Sequence, residues 1–479
     1  MRQKPLHQLV FLLGEAVLAL LSSGVLFVLV SRIGGAEMLG SYALALSWLM
    51  LFQGVSCFGI PEFLMREVGT HGQNASQQVN NALVLGIGSG FIAVGLMQIA
   101  VRVLGYSSEL VHVITISSLG LIPVFLNMAA RAVFLAFRQM HFAFTALLLE
   151  VAITMLVSLH LLLTGYGAAA LIATLVVAKF VSASISITLL YLRALSIRAP
   201  LELKSLVQSA RTIFTFGIGN MLGMLTMRIN VIMVSLWVDI STVGQFAAAT
   251  KLMELGLMIP NLFVQLLMTR IAHSFSEGGK RDPNQFGSWL QILFDIVVPT
   301  CVGGWIFADF FLSILFGQSF RAATIVFRVL LFYLLIESAD AVMSVILKAA
   351  HKQRGDVERL AFNPLTNFVL NLVLLPTFGI VGSAVGRVGG AVASATLRHR
   401  LIAAEMTAVT WSRYSARPAL ISIGVGALCY SMRGLMQPVS LFLLYVLGTG
   451  GVLLIASGLS LSVIKDIMTF SAGEADQQN

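Results

Sequence analysis

Seven cations lie within or at the ends of long apolar stretches of this chain: Arg32, Arg66, Lys179, Arg228, Lys251, Arg270 and Arg387. A charge at membrane depth costs at least ~2.5–3.5 kcal/mol on insertion scales, so each needs a partner or a water-filled cavity. Lys251 and Glu254 are spaced i,i+3, which puts them on one helix face, so Lys251 is either neutralised there or a cation of the lumen. Lys179, Arg228 and Arg387 have no acid at helical spacing within their own segments, so they either pair across helices or face a cavity. Arg66 and Arg270, at helix ends, fit either snorkelling anchors or ligands. A cavity with surplus cations attracts a polyanion. A pyrophosphate group suits it: arginine offers a planar fork for bidentate phosphate contacts and lysine a point charge.

No enzyme constellation competes with that reading. The chain has no HExxH, no Cys/His cluster at metal spacing, no GxxxxGK[ST] phosphate loop and no nucleophile triad, so neither catalysis nor a cofactor is expected. Without an ATP-binding segment, work must come from an ion gradient, the membrane potential or the substrate gradient. Glu15, Asp295 and Asp340 are the candidate ion-coupling acids. Glu15 stands first, with a structural pairing to a nearby Lys or Arg as its alternative. Pro260, in the eighth apolar segment, is the candidate hinge, because proline removes a helical hydrogen bond, with a static kink that improves packing as its alternative.

The elements that must position these residues are membrane helices. Hydrophobic residues make up 58% of the 479, charged residues 11%, and mean hydropathy is +0.92, too apolar for a soluble surface. Runs of roughly 20 apolar residues, enough to cross ~30 Å of hydrocarbon, recur near 8–31, 42–64, 82–104, 111–133, 142–163, 169–192, 211–236, 243–269, 288–312, 324–347, 361–378, 380–403, 416–435 and 438–461. The expected fold is an all-α polytopic membrane protein of about fourteen transmembrane helices. Basic residues concentrate in alternate loops, including Arg193, Lys204, Lys280, Lys352 and Arg398. The positive-inside rule then places both termini in the cytoplasm. The net charge of +9 reports that orientation, not nucleic-acid binding.

A repeat organises the chain. SRIGGAEMLGSYALA at 31–45 is echoed by LWVDISTVGQFAAA at 236–249. Gly40 and Gly244 are 204 residues apart, as are Tyr42 and Phe246, Ala43 and Ala247, and Arg66 and Arg270. Six segments precede residue 193 and six more fill 211–403, so the repeats insert in the same orientation. The expected domains are a six-helix lobe at 1–192, an amphipathic cytoplasmic linker at 193–210, a second six-helix lobe at 211–403, and helices thirteen and fourteen with a tail at 404–479.

Four pieces, in order, carry a family likeness: SRIGGAEMLGSYALALS, FGIPEFLMREVG, GQFAAATKLMEL and NPLTNFVLNLVLLPTFGIVGSAVG at 363–386. They resemble the polysaccharide-transport (Wzx-type O-antigen flippase) branch of the multidrug/oligosaccharidyl-lipid/polysaccharide flippase superfamily, over about the first 400 residues. The resemblance implies two lobes around a cationic lumen. It also implies movement of an undecaprenyl-pyrophosphate-linked oligosaccharide (an O-antigen or exopolysaccharide unit) across the bacterial inner membrane. By motif position it makes Arg32 and Arg66 lumen or gate cations. Arg228 departs from the family pattern, where many relatives are acidic or neutral. Polysaccharide polymerase and chain-length machinery as partners, H+ or Na+ coupling and a monomeric chain complete the expectation. The alternatives are a MATE-like exporter of small molecules and a membrane-embedded polysaccharide polymerase or ligase.

Overall fold

A 53-residue helix would be about 80 Å long, more than twice the ~30 Å of a bilayer's hydrocarbon. The first helix, α1 (Pro5–Cys57), has that length and solves the problem by folding back at Gly35, whose φ is 76°. Phe27 and Tyr42, fifteen residues apart in sequence, bring their ring centroids to 5.7 Å across the bend. In the computed structural model, the described residues are 5–193, 202–264, 283–349, 362–405 and 411–457. Arg270, Lys280, Lys352, residues 194–201 of the expected linker and the tail beyond 457 lie outside them.

The chain continues through α2 (Ile60–His71), α3 (Ser76–Val103), α4 (Ser108–Ser118), α5 (Leu121–Ala136), α6 (Met140–Leu163), α7 (Ala168–Arg193), α8 (Leu203–Ser235) and α9 (Ile240–Gly256). It then forms α10 (Pro283–Ile306), α11 (Ala308–Leu315), α12 (Ala323–Ala349), α13 (Phe362–Glu405), α14 (Trp411–Ser431) and α15 (Pro438–Ser457). The protein is an all-α polytopic membrane protein. Each of the fourteen expected segments overlaps at least one described helix, 42–64, 111–133 and 288–312 each spanning two, while 265–269 and 458–461 lie outside the described residues. Among the described residues, seven helices are long and apolar enough to cross a bilayer, and two bent pairs do so together.

α13 repeats the trick of α1. It folds back at Gly379 (φ 56°), between the two segments expected at 361–378 and 380–403. Asn363, Asn367 and Asn371, at i,i+4 spacing, line one face of its first arm. Gly382, Gly386, Gly389 and Gly390 of the second arm press onto that arm so closely that an added Cβ would strike Leu374, Asn371, Leu370 and Asn363 respectively. The small-residue run after Pro376 thus serves close packing of the two arms.

Two compact units divide the chain, residues 1–247 and 248–479. They do not coincide with the sequence repeats, because α8 packs along α1 and joins the first unit. The expected amphipathic linker contributes its last turns to α8 itself, where Leu203 and Val207 remain exposed. In the first unit a core of Phe63, Leu64, Phe125, Phe134, Met140 and Ile213 gathers α2, α5, α6 and α8. In the second, Phe307, Cys429, Leu441 and Tyr445 seat α14 and α15 against α10.

Pro260 follows the end of α9 by one turn. Its missing N–H would have reached the carbonyl of Gly256, the last residue of α9, and helix resumes only at 258–264. At the start of α9, the Asp239 carboxylate accepts from the Thr242 N–H at 3.0 Å and from its hydroxyl at 2.7 Å. These bonds hold the Asp239 carboxyl below its ordinary range and cap the helix.

Candidate functional site

The repeated glycines meet each other. A Cβ on Gly40 would strike the carbonyl oxygen of Ile240, and one on Gly244 the carbonyl oxygen of Ala36. Ile240 precedes Gly244 by four residues and Ala36 precedes Gly40 by four, so the contact has local two-fold character. The second arm of α1 then runs down α8, with Gly54 against Met224 and Gly59 (φ 73°) against Ile213 and Gly217. Polar ties hold α8 at both ends. Asn81 donates to Ser205 Oγ at 2.8 Å near its start, and the Tyr106 and Ser235 hydroxyls lie 2.7 Å apart at its finish.

Three of the expected cations sit on these helices. Arg32 is exposed near the bend of α1, Arg66 is exposed on α2, and Arg228 is half-buried on α8. The Arg66 guanidinium lies 5.9 Å from the Phe216 ring of α8 and 3.4 Å from Glu67. Its side chain is 59% exposed and so stays available to solvent or solute.

Other expected site residues have protein partners. Lys179 donates to Glu150 Oε1 at 2.7 Å, from α7 to α6, so of the two alternatives it takes the pairing across helices. Its backbone carbonyl accepts from Asn127, whose own side-chain oxygen receives Ser186. Glu15 accepts from Arg131 Nε at 2.7 Å, which is the structural alternative named for it. Lys251, buried, lies 3.6 Å from Glu254 as the i,i+3 spacing requires. Asp295 accepts from Gln291 one turn away at 2.8 Å.

Arg387 departs furthest from the expected water-filled lumen. It is 1% exposed, inside the second unit, with its guanidinium stacked 4.5 Å over the Tyr333 ring. Asp340 is equally enclosed and forms an ion pair with Arg398, which also donates to the Asp340 backbone carbonyl at 3.1 Å. Glu337 borders the same interior, beside Asp340, Arg398, Arg387 and Tyr333. The assignment of Arg398 to a basic loop is therefore corrected: α13 runs on to Glu405 and keeps that side chain inside. A signal was present in the spacing. Tyr333, Glu337 and Asp340 are i, i+4, i+7 on α12, and Arg387 and Arg398 are three turns apart on α13, so each set shares a face.

The half-buried Lys179–Glu150 pair is tested by breaking it and then removing it. Glu150→Met should lower the thermal stability of the detergent-solubilised protein by about 1–3 kcal/mol, since it strands Lys179. Lys179→Met added to it should restore most of the loss. Equal losses in the single and double variants would show that the pair is not what holds α6 to α7.

A family model described as polysaccharide biosynthesis protein matches residues 29–325, well over half the chain. The chain belongs to that family. The sequence pieces quoted above resemble the polysaccharide-flippase branch of a wider superfamily, and this polysaccharide biosynthesis family member is similar to the following proteins. A probable low-salt glycan biosynthesis flippase of Haloferax volcanii is 25% identical over 159 residues. That alignment spans 31% of this chain and 34% of the relative, about a third of its length. Among solved structures, the lipid II flippase MurJ in an inward closed conformation has a TM-score of 0.78 at 13% identity, covering 97% of this chain and 100% of that one. An inward-facing multidrug resistance MATE transporter gives 0.67 at 16% identity, over 81% and 96% of the two chains. A superfamily transporter from Pyrococcus furiosus whose binding pocket has reverse polarity gives 0.61 at 16%, over 85% and 98%. At these identities the structures share the fold.

Proposed function

We propose that this family member is a flippase that carries a lipid-linked oligosaccharide across the bacterial inner membrane, moving its pyrophosphate-bearing head group by alternating access. The observation that carries the reading is the match to a polysaccharide biosynthesis family over residues 29–325, on a fold shared along its whole length with a lipid II flippase. Undecaprenyl pyrophosphate is the proposed carrier, and both termini are proposed to be cytoplasmic.

In this reading Arg32, Arg66 and Arg228 hold the phosphates, because guanidinium groups bind them in bidentate fashion. Arg270, 204 residues after Arg66, is proposed at the corresponding place in the second repeat, and Lys251 as a further cation beside Glu254. Lys179 and Arg387 serve the interior of their bundles through Glu150 and Tyr333. Pro260 is the proposed hinge, next to the break after Gly256. Of the acids, Asp295 is the remaining coupling proposal, since Glu15 and Asp340 are each committed to an arginine.

Arg66→Ala and Arg228→Ala should each lower surface polysaccharide by about tenfold, the equivalent of losing one good charge-assisted contact. Protein abundance should be unchanged and lipid-linked repeat units should accumulate. Arg228→Lys should recover only part of the loss. Normal surface polysaccharide in the Arg66→Ala, Arg228→Ala double variant would overturn the phosphate assignment.

A further inference from the structure

Away from the proposed substrate cations, the second unit carries an apolar groove of about 600 Å³ between α10, α12 and α14. Cys301, Trp305, Phe332, Leu335, Ile423 and Tyr430 line it, and Phe332, Ile423 and Tyr430 are more than half exposed. Its lining runs along α14 from Ala419 to Tyr430, roughly 16 Å of helix. That is about half of a ~30 Å hydrocarbon core, the depth of one leaflet.

The two ends of the groove differ. The lining reaches the C-terminal ends of α10 and α14 at Trp305 and Tyr430, residue types that settle at the membrane–water interface, and runs back along those helices to the aliphatic Val298 and Ala419. Each of these aromatics is bound to a guanidinium. Arg328 donates to the Trp305 carbonyl at 3.2 Å and is neutralised by Asp309 at 3.1 Å. Arg433 stacks 4.2 Å from the Tyr430 ring, and among the described residues no carboxylate is paired with it. An apolar slot one leaflet deep with a net cation at its interfacial mouth is complementary to one kind of molecule.

We propose that this groove binds one acyl chain of an anionic glycerophospholipid, with the lipid phosphate at Arg433. The cation selects charge, since an arginine near a membrane surface is worth about a fivefold preference for an anionic head group. Small residues of α14 also line the groove: Ala427, and Gly426, over which Ile306 packs. On the orientation proposed above, the leaflet concerned is the outer one.

The test uses the full chain, stripped of lipid in detergent and incubated with equimolar palmitoyl-oleoyl phosphatidylglycerol and phosphatidylethanolamine. Retained lipid is read by native mass spectrometry. One phosphatidylglycerol should be kept, about fivefold over phosphatidylethanolamine. Ala427→Trp, which fills the groove, should abolish retention, while Leu420→Trp, on an exposed part of α14 outside the groove, should not. Arg433→Gln, at an exposed position where folding is not at stake, should equalise the two lipids. Equal retention of the two lipids by the unaltered protein would overturn the proposal. So would unchanged retention in Ala427→Trp, or a co-purifying membrane polypeptide protected at the groove in place of lipid.

Discussion

Replacing Asp340 with alanine should prevent the protein from accumulating in folded form. The carboxylate and Arg398 are 5% and 3% exposed, and the pair joins α12 to the second arm of α13. Removing Asp340 takes from the buried Arg398 the carboxylate it is paired with, beside a second enclosed guanidinium, Arg387, and leaves Glu337 to face both. Losses of this kind run to about 3–5 kcal/mol, a large part of the roughly 5–15 kcal/mol that keeps a typical protein folded. Asp340→Asn keeps an acceptor while losing the charge, so its loss should be smaller. Fluorescence-detected size exclusion after heating separates the three proteins. An Asp340→Ala variant that melts like the unaltered chain, yet fails to transport, would restore the coupling role read from the sequence.

The second large effect belongs to the meeting of Gly40 and Gly244. Each lacks room for a Cβ because a backbone carbonyl occupies the space, and backbone cannot swing aside as a side chain can. Gly40→Ala and Gly244→Ala should therefore each cost about 1–3 kcal/mol of thermal stability, the range for overpacking. The double variant should cost less than the sum, since one methyl group forces the helices apart and makes room for the other. In the flippase reading, both single variants should also lower transport, because this contact is one that an alternating path must close. Strict additivity in the double-mutant cycle would show that the two glycines act independently and that the symmetric contact is not energetically real.

Much of this was legible in the residues. The fold-backs at Gly35 and Gly379 follow from apolar runs too long for one crossing, each with a glycine at its middle. The 204-residue spacing of Gly40 and Gly244 marked them as equivalent positions of a repeat, but not that the two meet each other. Lys251–Glu254 was readable because both ends lie on one helix. The pairs Lys179–Glu150, Glu15–Arg131 and Asp340–Arg398 were not, because each crosses between helices. Hydropathy places a residue along a helix axis but says nothing of which neighbour its face meets. Arg398 was read as a loop cation for a related reason: the apolar run ends near it, while the helix does not.

The most direct measurement places the purified protein in vesicles that carry a fluorescently tagged, pyrophosphate-linked polyprenyl oligosaccharide in both leaflets. A membrane-impermeant glycosidase then trims the accessible sugar. Protein-free vesicles should lose about half the intact lipid and stop. Vesicles with the unaltered protein should lose nearly all of it, and those with the Arg66→Ala, Arg228→Ala double variant should stall near half. A plateau at half with the unaltered protein, under imposed ion gradients of either sign, would contradict the flippase account.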